Sequence, residues 1–198
     1  MSSINFIGGE KGGVGKSVTA RVLAQYFIDH SRPFTGFDTD RSHSSFTRFY
    51  EGFASPVVVD SFEGLDTVVN GFETNPQQSV IVDLAAQTLA PLARWIKESD
   101  LFDVFAEIGV TVNFWHVLDD GKDSTDLLGT LIDTFGNRPN YIVVQNYGRG
   151  SDFGMLLASQ SLSKATANGA RVIALPRLHD ASMRKIDAQN TSFWKAVN

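Results

Sequence analysis

Hydrophobic positions along the chain follow two alternating patterns: short runs rich in β-branched and aromatic residues, and longer stretches with helical spacing. The short runs predict strands at residues 4–7, 34–37, 57–59, 79–82, 110–117, 141–145 and 171–175. The helical spacing predicts helices at residues 17–30, 65–72, 89–97, 124–135 and 153–168. Strands that alternate with helices in this way are typical of right-handed βαβ units. We therefore predict one α/β domain over residues 1–198, with a mostly parallel twisted sheet flanked by helices in three layers.

Polar residues stand where several predicted strands end. Asp38, Asp60, Asp83 and Asn146 each lie at or just after the end of an apolar run. Ligands of open parallel sheets bind at the carboxyl ends of the strands. The pattern therefore places the expected ligand site at this edge of the sheet.

The composition excludes several classes of protein. The 198 residues include no cysteine, which rules out a disulfide framework, a thiolate zinc site, a cysteine nucleophile and a cysteine-ligated iron–sulfur cluster. No apolar run approaches the ~20 residues that span a bilayer, and the first residues lack the pattern of a signal peptide. We therefore expect a cytoplasmic protein without integral membrane association.

Charge is distributed unevenly along the chain. The net charge is -5, which argues against a protein that coats nucleic acid uniformly. However, residues 1–152 carry 11 Lys and Arg against 20 Asp and Glu, whereas residues 153–198 carry six against two. The chain thus combines an acidic body with a basic C-terminal quarter.

Residues 8–17 read Gly-Gly-Glu-Lys-Gly-Gly-Val-Gly-Lys-Ser and lie between a predicted strand and a predicted helix. Glycines in such a loop let backbone N–H groups point at phosphate oxygens, and the following helix directs its positive end to the same spot. Lys16 is expected to reach the β- and γ-phosphates, and the Ser17 hydroxyl to bind Mg²⁺. The candidate phosphate-binding residues are Gly12, Gly13, Val14, Gly15, Lys16, Ser17 and Val18. Glu10 occupies the place where the general pattern has its first glycine.

The run Lys-Gly-Gly-Val-Gly-Lys-Ser, residues 11–17, resembles the deviant Walker A motif of the ParA/MinD family of P-loop ATPases. The resemblance implies a P-loop NTPase-like fold, ATP and Mg²⁺ as cofactors, and hydrolysis of ATP. It also implies that Lys11 is the signature lysine, which reaches the nucleotide of the other subunit in an ATP-dependent homodimer. A second cation on the phosphates acts like an arginine finger supplied in trans.

The resemblance extends to two groups of carboxylates. In Asp38-Thr39-Asp40 it implies that Asp38 organises the magnesium shell and that Asp40 orients or activates the attacking water. Asp83 ends a strand in the Walker B arrangement, which implies that it holds Mg²⁺ through water. The sequence departs from the family at Arg41, where Pro-Gln often follows, and in residues 84–88, which contain neither proline nor glycine. Residues 83–87 are similar to those of plasmid mobilisation and stability members of the family. Two interpretations of Gln87 stay open: it contacts a water molecule or the partner subunit, or it is a polar residue at the start of a helix.

Two further segments resemble the part of the family that surrounds the base. Asn146 follows a strand, as does the asparagine that bonds the adenine edge in relatives. The run Leu175-Pro176-Arg177 resembles the loop that flanks the base, so Pro176 and Arg177 are candidate nucleotide-binding residues.

These features favour an ATP-driven dimerising switch that positions or segregates DNA or other cargo, as in partition or plasmid maintenance. The expected partners are nonspecific DNA, bound through Arg171, Arg184, Lys185 and Lys195, and a protein that stimulates hydrolysis. The alternative for these four residues is that they are spread around a solvated surface. One alternative is an ATP-dependent metabolic ligase of the dethiobiotin or cobyrinate synthase type, with Arg41 and Arg48 as substrate-binding candidates. Another is a nucleotide-binding scaffold without turnover. The reductase branch of the fold needs cysteines and is excluded.

Overall fold

A computed structural model of the chain describes residues 2–59, 61–75 and 77–198. Its centre is a seven-stranded sheet in which every pair of neighbouring strands is parallel. The strands are β1 (Ser3–Gly8), β2 (Phe34–Asp38), β3 (Ala54–Pro56), β4 (Ser79–Asp83), β5 (Thr111–Leu118), β6 (Asn140–Asn146) and β7 (Arg171–Leu175). Their spatial order is β3-β2-β4-β1-β5-β6-β7.

Helices cover the two faces of this sheet. They are α1 (Lys16–Asp29), α2 (Ser45–Phe49), α3 (Phe62–Thr74), α4 (Leu89–Glu98), α5 (Leu101–Glu107), α6 (Lys122–Phe135), α7 (Gly154–Leu157), α8 (Gln160–Ala167), α9 (Asp180–Gln189) and α10 (Phe193–Val197). The prediction of a three-layer α/β fold with a mostly parallel sheet is confirmed. In the described part of the chain, no helix has both the length and the apolar character that crossing a membrane requires.

Alternate residues of each strand supply two separate hydrophobic cores, because successive side chains of a strand point to opposite faces. Phe6 and Phe114 stack with their ring centroids 5.0 Å apart on the face that packs against α3 to α8. Ile7 and Ile81 lie on the other face, with the buried side of α1 and α2. The central strands are therefore buried on both sides, which explains their continuous apolar runs.

Strand register brings the predicted site residues to one edge. Asp38 of β2 and Asp83 of β4 are direct partners across neighbouring strands, and Ile7 of β1 is the partner of Asp83 on its other side. Since β1 ends at Gly8, the loop of residues 9–15 begins beside both carboxylates. Asp60 lies outside the described residues.

Two predicted elements differ from the structure. The strand predicted at 57–59 is wrong: β3 lies at Ala54–Pro56, where its residues pair with Gly36 to Asp38. Val57 and Val59 are nevertheless buried, so the apolar run reflects a buried connection. The helix predicted at 153–168 is interrupted between α7 and α8, because the Ser159 hydroxyl accepts a hydrogen bond from the Leu162 N–H and begins a new helix there.

Helices α2, α5, α9 and α10 have no counterpart in the sequence prediction. They contain five, seven, ten and five residues, so three of them are shorter than the span over which helical periodicity is readable. Helix α9 buries none of its residues fully, and it therefore lacks the apolar stripe from which a helix is predicted.

Candidate nucleotide site

The loop between β1 and α1 ends at Gly15, which has φ of 100° and leads directly into α1. A side chain at this position would be strained by the backbone and blocked by a neighbour, because a Cβ on Gly15 would lie 2.2 Å from Nδ2 of Asn146. Asn146 Nδ2 donates to the Val14 carbonyl over 2.7 Å, and its Oδ1 accepts from the Gly148 N–H. The end of β6 therefore holds the loop in place at the N-terminus of α1.

Lys16 is buried at the start of α1. Its Nζ donates to the backbone carbonyl of Lys11 over 2.9 Å, so a hydrogen bond joins the start of α1 to the middle of the preceding loop. Burial lowers the pKa of Lys16, while the nearby carboxylates of Asp83, Glu10 and Asp40 act in the opposite direction. A buried ammonium beside a helix N-terminus is a site that favours a bound anion.

Lys11 points away from Lys16. Its Nζ lies 2.7 Å from Oδ2 of Asp119, a residue of the loop that follows β5. Asp119 also accepts hydrogen bonds from the Ser124 hydroxyl and the Gly121 N–H. The hydrogen bond to Asp119 raises the pKa of Lys11 above its usual value. In this conformation the lysine is bound to its own chain.

Asp83 is 1% exposed, and neither of its carboxylate oxygens has a hydrogen-bond partner among the described residues. Burial raises its pKa to about 7, and the neighbouring Asp38 adds to the shift, whereas Ser17 and Lys16 oppose it. An unpaired buried carboxylate costs free energy unless a cation balances it. Its hard oxygen donors, together with the Ser17 hydroxyl, are of the type that Mg²⁺ prefers, so the residues fit a magnesium ion.

Asp38 is engaged differently from Asp83. One oxygen accepts from the Asp40 N–H, and the other accepts from the N–H groups of Phe46 and Thr47 at the start of α2. Burial raises the pKa of Asp38 although these three hydrogen bonds lower it. The carboxylate thus caps α2, and Asp38 is the strand partner of Asp83.

Asp40 is partly exposed in the loop between β2 and α2. Burial raises the pKa of its carboxyl, but hydrogen bonds from the Ser42 and His43 N–H groups and from the His43 ring bring the pKa below its usual value. The His43 Nδ1 lies 3.2 Å from Oδ2 of Asp40. Asp40 is therefore ionised at neutral pH and available to accept a hydrogen bond.

A cleft with a volume of about 650 Å³ lies between Lys16 and Asp40. Its walls are formed by the loop of residues 9–15, which we call the phosphate loop, with the start of α1, and by the segments after β2 and after β4. Gly12, Gly13, Ser17, Asp40, Ala85 and Arg149 are among the lining residues. Arg41 and Arg48, the candidates for a ligase substrate, are exposed and do not line this cleft.

A second cleft of about 320 Å³ adjoins the first, and Val18, Arg21 and Arg149 line both. Asn146, Pro176 and Arg177, the three residues that the resemblance assigns to the base, lie together in its wall. Arg177 forms an ion pair with Asp180, with its Nη2 2.6 Å from Oδ2 of the carboxylate. The two clefts together provide room for the phosphates and for the base of one nucleotide.

Arg149 is a candidate residue that sequence reasoning missed. It is exposed in the loop after β6, and its Cγ lies 4.0 Å from the position of a Cβ on Gly15. Its side chain therefore lies beside the N-terminus of α1 in both clefts. Only its position after Asn146, in a glycine-flanked turn, signals this in the sequence.

Arg21 is a second residue that the sequence did not identify. It is 3% exposed on α1, one turn after Ser17, and its guanidinium lies 3.7 Å from the ring centroid of Phe49 and 4.8 Å from that of Phe193. Asp187 accepts a hydrogen bond from Nη1 over 3.4 Å, while Nε and Nη2 have no partner among the described residues. Arg21 thereby joins α1 to α2 and to the C-terminal helices α9 and α10.

The four basic residues predicted to contact DNA are all exposed. Arg184 and Lys185 lie on α9, next to the second cleft, and Lys195 lies on α10. Arg171 begins β7, whereas Leu175 at the other end of this strand pairs with Asn146. At ~3.3 Å per residue, Arg171 lies about 13 Å from the edge that holds the nucleotide site. The structure therefore places Arg184 and Lys185 together and Arg171 apart from them.

The chain is similar to two curated proteins of low sequence identity. It is 24% identical to Protein MobD of Acidithiobacillus ferrooxidans over 198 residues, which cover 98% of this chain and 86% of MobD. It is 25% identical to Protein TraL of Escherichia coli over 194 residues, which cover 91% of this chain and 79% of TraL. No protein-family model matches the chain.

Solved structures with a similar fold include the MinD cell division protein of Aquifex aeolicus, with a TM-score of 0.58, 15% identity, and coverage of 96% of this chain and 87% of that one. The MinC:MinD cell division protein complex of the same organism has a TM-score of 0.60 and 13% identity, and the match covers 96% of this chain and 87% of that one. A nucleotide-binding protein of Archaeoglobus fulgidus, solved in complex with ADP, has a TM-score of 0.57 and 12% identity, and the match covers 97% of this chain and 88% of that one. The chain therefore has the fold of MinD-like nucleotide-binding proteins, and the predicted resemblance to ParA/MinD ATPases is confirmed in the fold.

Proposed function

On this MinD-like fold, we propose that the chain is a Mg-ATP-dependent ATPase switch, which dimerises with ATP and is released when ATP is hydrolysed to ADP and phosphate. The observation that carries the proposal is the 650 Å³ cleft, which is lined by the phosphate loop, by Asp40 and by Leu84, the residue after the buried, unpaired Asp83. A glycine-rich loop, a lysine, a hydroxyl and two kinds of carboxylate are the groups that phosphoryl transfer requires.

In this proposal the loop residues Gly12 to Ser17 hold the phosphates through their N–H groups, and Lys16 exchanges its hydrogen bond to the Lys11 carbonyl for one to a phosphate oxygen. The Ser17 hydroxyl and the carboxylates of Asp83 and Asp38 would hold a magnesium ion, which would neutralise charge on the phosphates. Asp40 orients or activates the attacking water; its lowered pKa keeps it ionised, so it can accept a hydrogen bond from that water.

The base is assigned to the second cleft. Asn146 uses one amide hydrogen and one oxygen lone pair on Val14 and Gly148, so one of each remains for the edge of the base. Pro176 and Arg177 flank the same space. This arrangement makes base recognition and loop geometry depend on the same side chain.

The assignment of Lys11 to the nucleotide of a partner subunit rests on the motif and on the position of the residue. Lys11 is partly exposed, next to the cleft, and it leaves Asp119 in order to act in trans. The exposed pair Arg184 and Lys185 is assigned to nonspecific DNA, and dimerisation doubles their number. The motif supports a role in plasmid partition, stability or mobilisation, in the cytoplasm and with a stimulating partner protein. The chain is also similar in sequence to MobD and TraL.

The test combines turnover and mass. Phosphate release from ATP and the mass in solution are measured with ATP, with ADP and without nucleotide, for the wild type and for Lys11→Ala and Asp40→Ala. We expect a dimer only with ATP, no dimer for Lys11→Ala, and at least ~100-fold slower turnover for Asp40→Ala with nucleotide affinity retained.

Other outcomes decide between the alternatives. Nucleotide binding without turnover in the wild type indicates a scaffold. Phosphate transfer to a small carboxylic acid indicates a ligase. A wild type that stays monomeric with ATP contradicts the switch.

A further inference from the structure

The phosphate loop departs from the general pattern at Glu10, and the structure gives this residue a specific contact. Its Oε1 accepts hydrogen bonds from the Thr88 N–H over 3.0 Å and from the Leu89 N–H over 2.9 Å. Helix α4 begins at Leu89, so these are two of the N–H groups that a helix leaves unpaired at its start. Glu10 therefore caps a helix that begins 79 residues later in the chain.

Helix α4 has no cap of its own. Thr88 precedes the helix, but its hydroxyl donates to the Ala85 carbonyl instead of accepting from the helix. The first turn contains no acidic residue, and Pro91 has no N–H to donate. The carboxylate from the phosphate loop thus replaces the local cap that most helices carry.

The segment between Asp83 and α4 is also held at its other end. The Thr39 hydroxyl, between Asp38 and Asp40, donates to the Asp83 carbonyl over 3.1 Å and accepts from the Ala85 N–H over 2.7 Å. Residues 84–88 are therefore tied to the aspartate segment at one end and to the phosphate loop at the other.

Between these two ties, Gln87 has φ of 62°. A residue other than glycine is strained in this left-handed region and stays there only when its surroundings hold it. The neighbouring residue, Thr88, is one of the two that Glu10 binds. Loss of the Glu10 contact removes one of the restraints on Thr88, another being the hydrogen bond from its hydroxyl to the Ala85 carbonyl.

We propose that Glu10 is a positioning residue, which couples the phosphate loop to residues 84–88 and to α4, so that nucleotide in the loop sets the segment beside the magnesium-binding carboxylate. The inference rests on the proposed function for its catalytic consequence, but the coupling itself needs only nucleotide binding. A loop that closes on phosphates moves the backbone of Glu10, and the carboxylate carries that movement to α4.

Hydrogen exchange at the Thr88 and Leu89 amides tests the coupling directly, because these amides are the donors to Glu10. Exchange is measured with and without a non-hydrolysable ATP analogue and magnesium. In the wild type we expect both amides to be protected and to exchange about five times more slowly with the analogue. In Glu10→Ala we expect both amides to exchange about five times faster than in the wild type, a change of the size that the loss of an ordinary helix cap produces. We also expect their exchange no longer to respond to the analogue.

Two further variants separate the hydrogen bonds from the charge. Glu10→Gln keeps an oxygen acceptor at the same reach, and it is expected to retain most of the protection. Glu10→Asp keeps the charge on a side chain one methylene shorter, and it is expected to behave like Glu10→Ala. Glu63→Ala, which removes an exposed glutamate from the first turn of α3, is the matched control and leaves both amides unchanged.

Turnover separates a positioning role from a purely structural one, because a cap that only stabilises α4 would not lower kcat selectively. We expect Glu10→Ala to lower kcat about tenfold while the nucleotide Kd stays within about threefold of the wild type, and Glu10→Gln to restore kcat. Unchanged exchange at Thr88 and Leu89 in Glu10→Ala overturns the proposal, and so does an equal loss of kcat and nucleotide affinity. If the wild type does not hydrolyse ATP but its amides respond to the analogue through Glu10, the coupling stands and the ATPase proposal fails.

Discussion

Lys11 Nζ lies 2.7 Å from Oδ2 of Asp119, so the lysine assigned to a partner's nucleotide is bound to its own chain in this conformation. The side chains remain 34% and 19% exposed, and Ser124 and Gly121 hold Asp119 in place from the other side. Under the proposed function, Lys11 gives up this ion pair when the dimer forms. We therefore expect the contact to oppose dimerisation and to favour the free subunit.

Replacement of Asp119 by asparagine is expected to strengthen the ATP-dependent dimer. The variant lacks the charge that holds Lys11, and the gain is limited to about two- to fivefold in the dimer Kd because a partly exposed ion pair is weak. Sedimentation velocity with ATP and with ADP measures it. Asp126→Asn, which breaks the exposed pair with Lys122, is the control and should leave dimerisation unchanged. Weaker dimerisation in Asp119→Asn contradicts the interpretation.

The raised pKa of Asp83 predicts that the free energy of unfolding depends on pH in the protein without nucleotide or magnesium. An acid with a folded pKa near 7 and an ordinary value of 3.8 keeps its proton longer in the folded state. Its contribution to the free energy of unfolding therefore decreases as the pH rises from about 4, and the loss is complete above about 7. Asp83→Asn lacks this titration and also removes the charge that interacts with Asp38, so the comparison reports on the carboxylate pair.

Chemical denaturation between pH 4 and pH 8 measures this difference. As the pH rises from 4 to 8, the free energy of unfolding of Asp83→Asn is expected to increase by about 2–4 kcal/mol relative to that of the wild type, with most of the change below pH 7. With Mg-ATP at pH 8 the wild type should be the more stable of the two proteins, because the variant loses a carboxylate that fits magnesium. A difference that stays constant with pH would show that Asp83 titrates normally.

Gly15 and Asn146 are expected to be energetically coupled. Gly15→Ala meets both a left-handed backbone and the Asn146 amide 2.2 Å from the new Cβ, and it should cost about 2–4 kcal/mol of stability and abolish nucleotide binding. Asn146→Ala should cost about 1–3 kcal/mol, since the Val14 carbonyl and the Gly148 N–H lose their partner.

A double-mutant cycle measures the coupling between the two positions. In the Asn146→Ala background, Gly15→Ala should cost less than in the wild type, because only the backbone strain remains. Strictly additive costs would mean that the close approach of Asn146 does not matter.

Arg149→Ala is expected to weaken nucleotide binding about five- to tenfold, with a reduced dependence of affinity on salt. The residue lies beside the N-terminus of α1 in both clefts, where a cation attracts phosphate. Titration of a fluorescent ATP analogue at two ionic strengths measures the effect. Arg48→Ala, which removes an exposed arginine that stacks on Phe49 away from the cleft, should bind as the wild type does.

DNA binding is expected to depend on ATP and on Arg184 and Lys185. The double replacement by alanine should abolish ATP-dependent binding of a random duplex, or reduce the slope of log K against log salt by about two for each subunit. Arg171→Ala should have a smaller effect, because Arg171 lies at the opposite end of β7 from the nucleotide edge. Binding that persists unchanged in the double variant, or that ignores ATP, argues against DNA as the surface for these residues.

The sequence alone determined the alternation of strands and helices, the phosphate loop and the aspartates that follow β2 and β4. These features are local: periodicity selects each element, glycine permits the turn, and a polar residue ends a buried strand. The position of β3 was not predictable, because Val57 and Val59 are as apolar as a strand and are buried without forming one.

The tertiary structure alone decided which residues meet. Asn146 holds the loop at Val14 across 132 positions, Lys11 meets Asp119 across 108, and Glu10 caps α4 across 78. Each of these contacts depends on strand order, since β4 and β5 lie on either side of β1 and β6 lies beyond β5. No local pattern encodes that order, so only the folded chain shows that two adjacent loop residues, Glu10 and Lys11, are anchored to different elements.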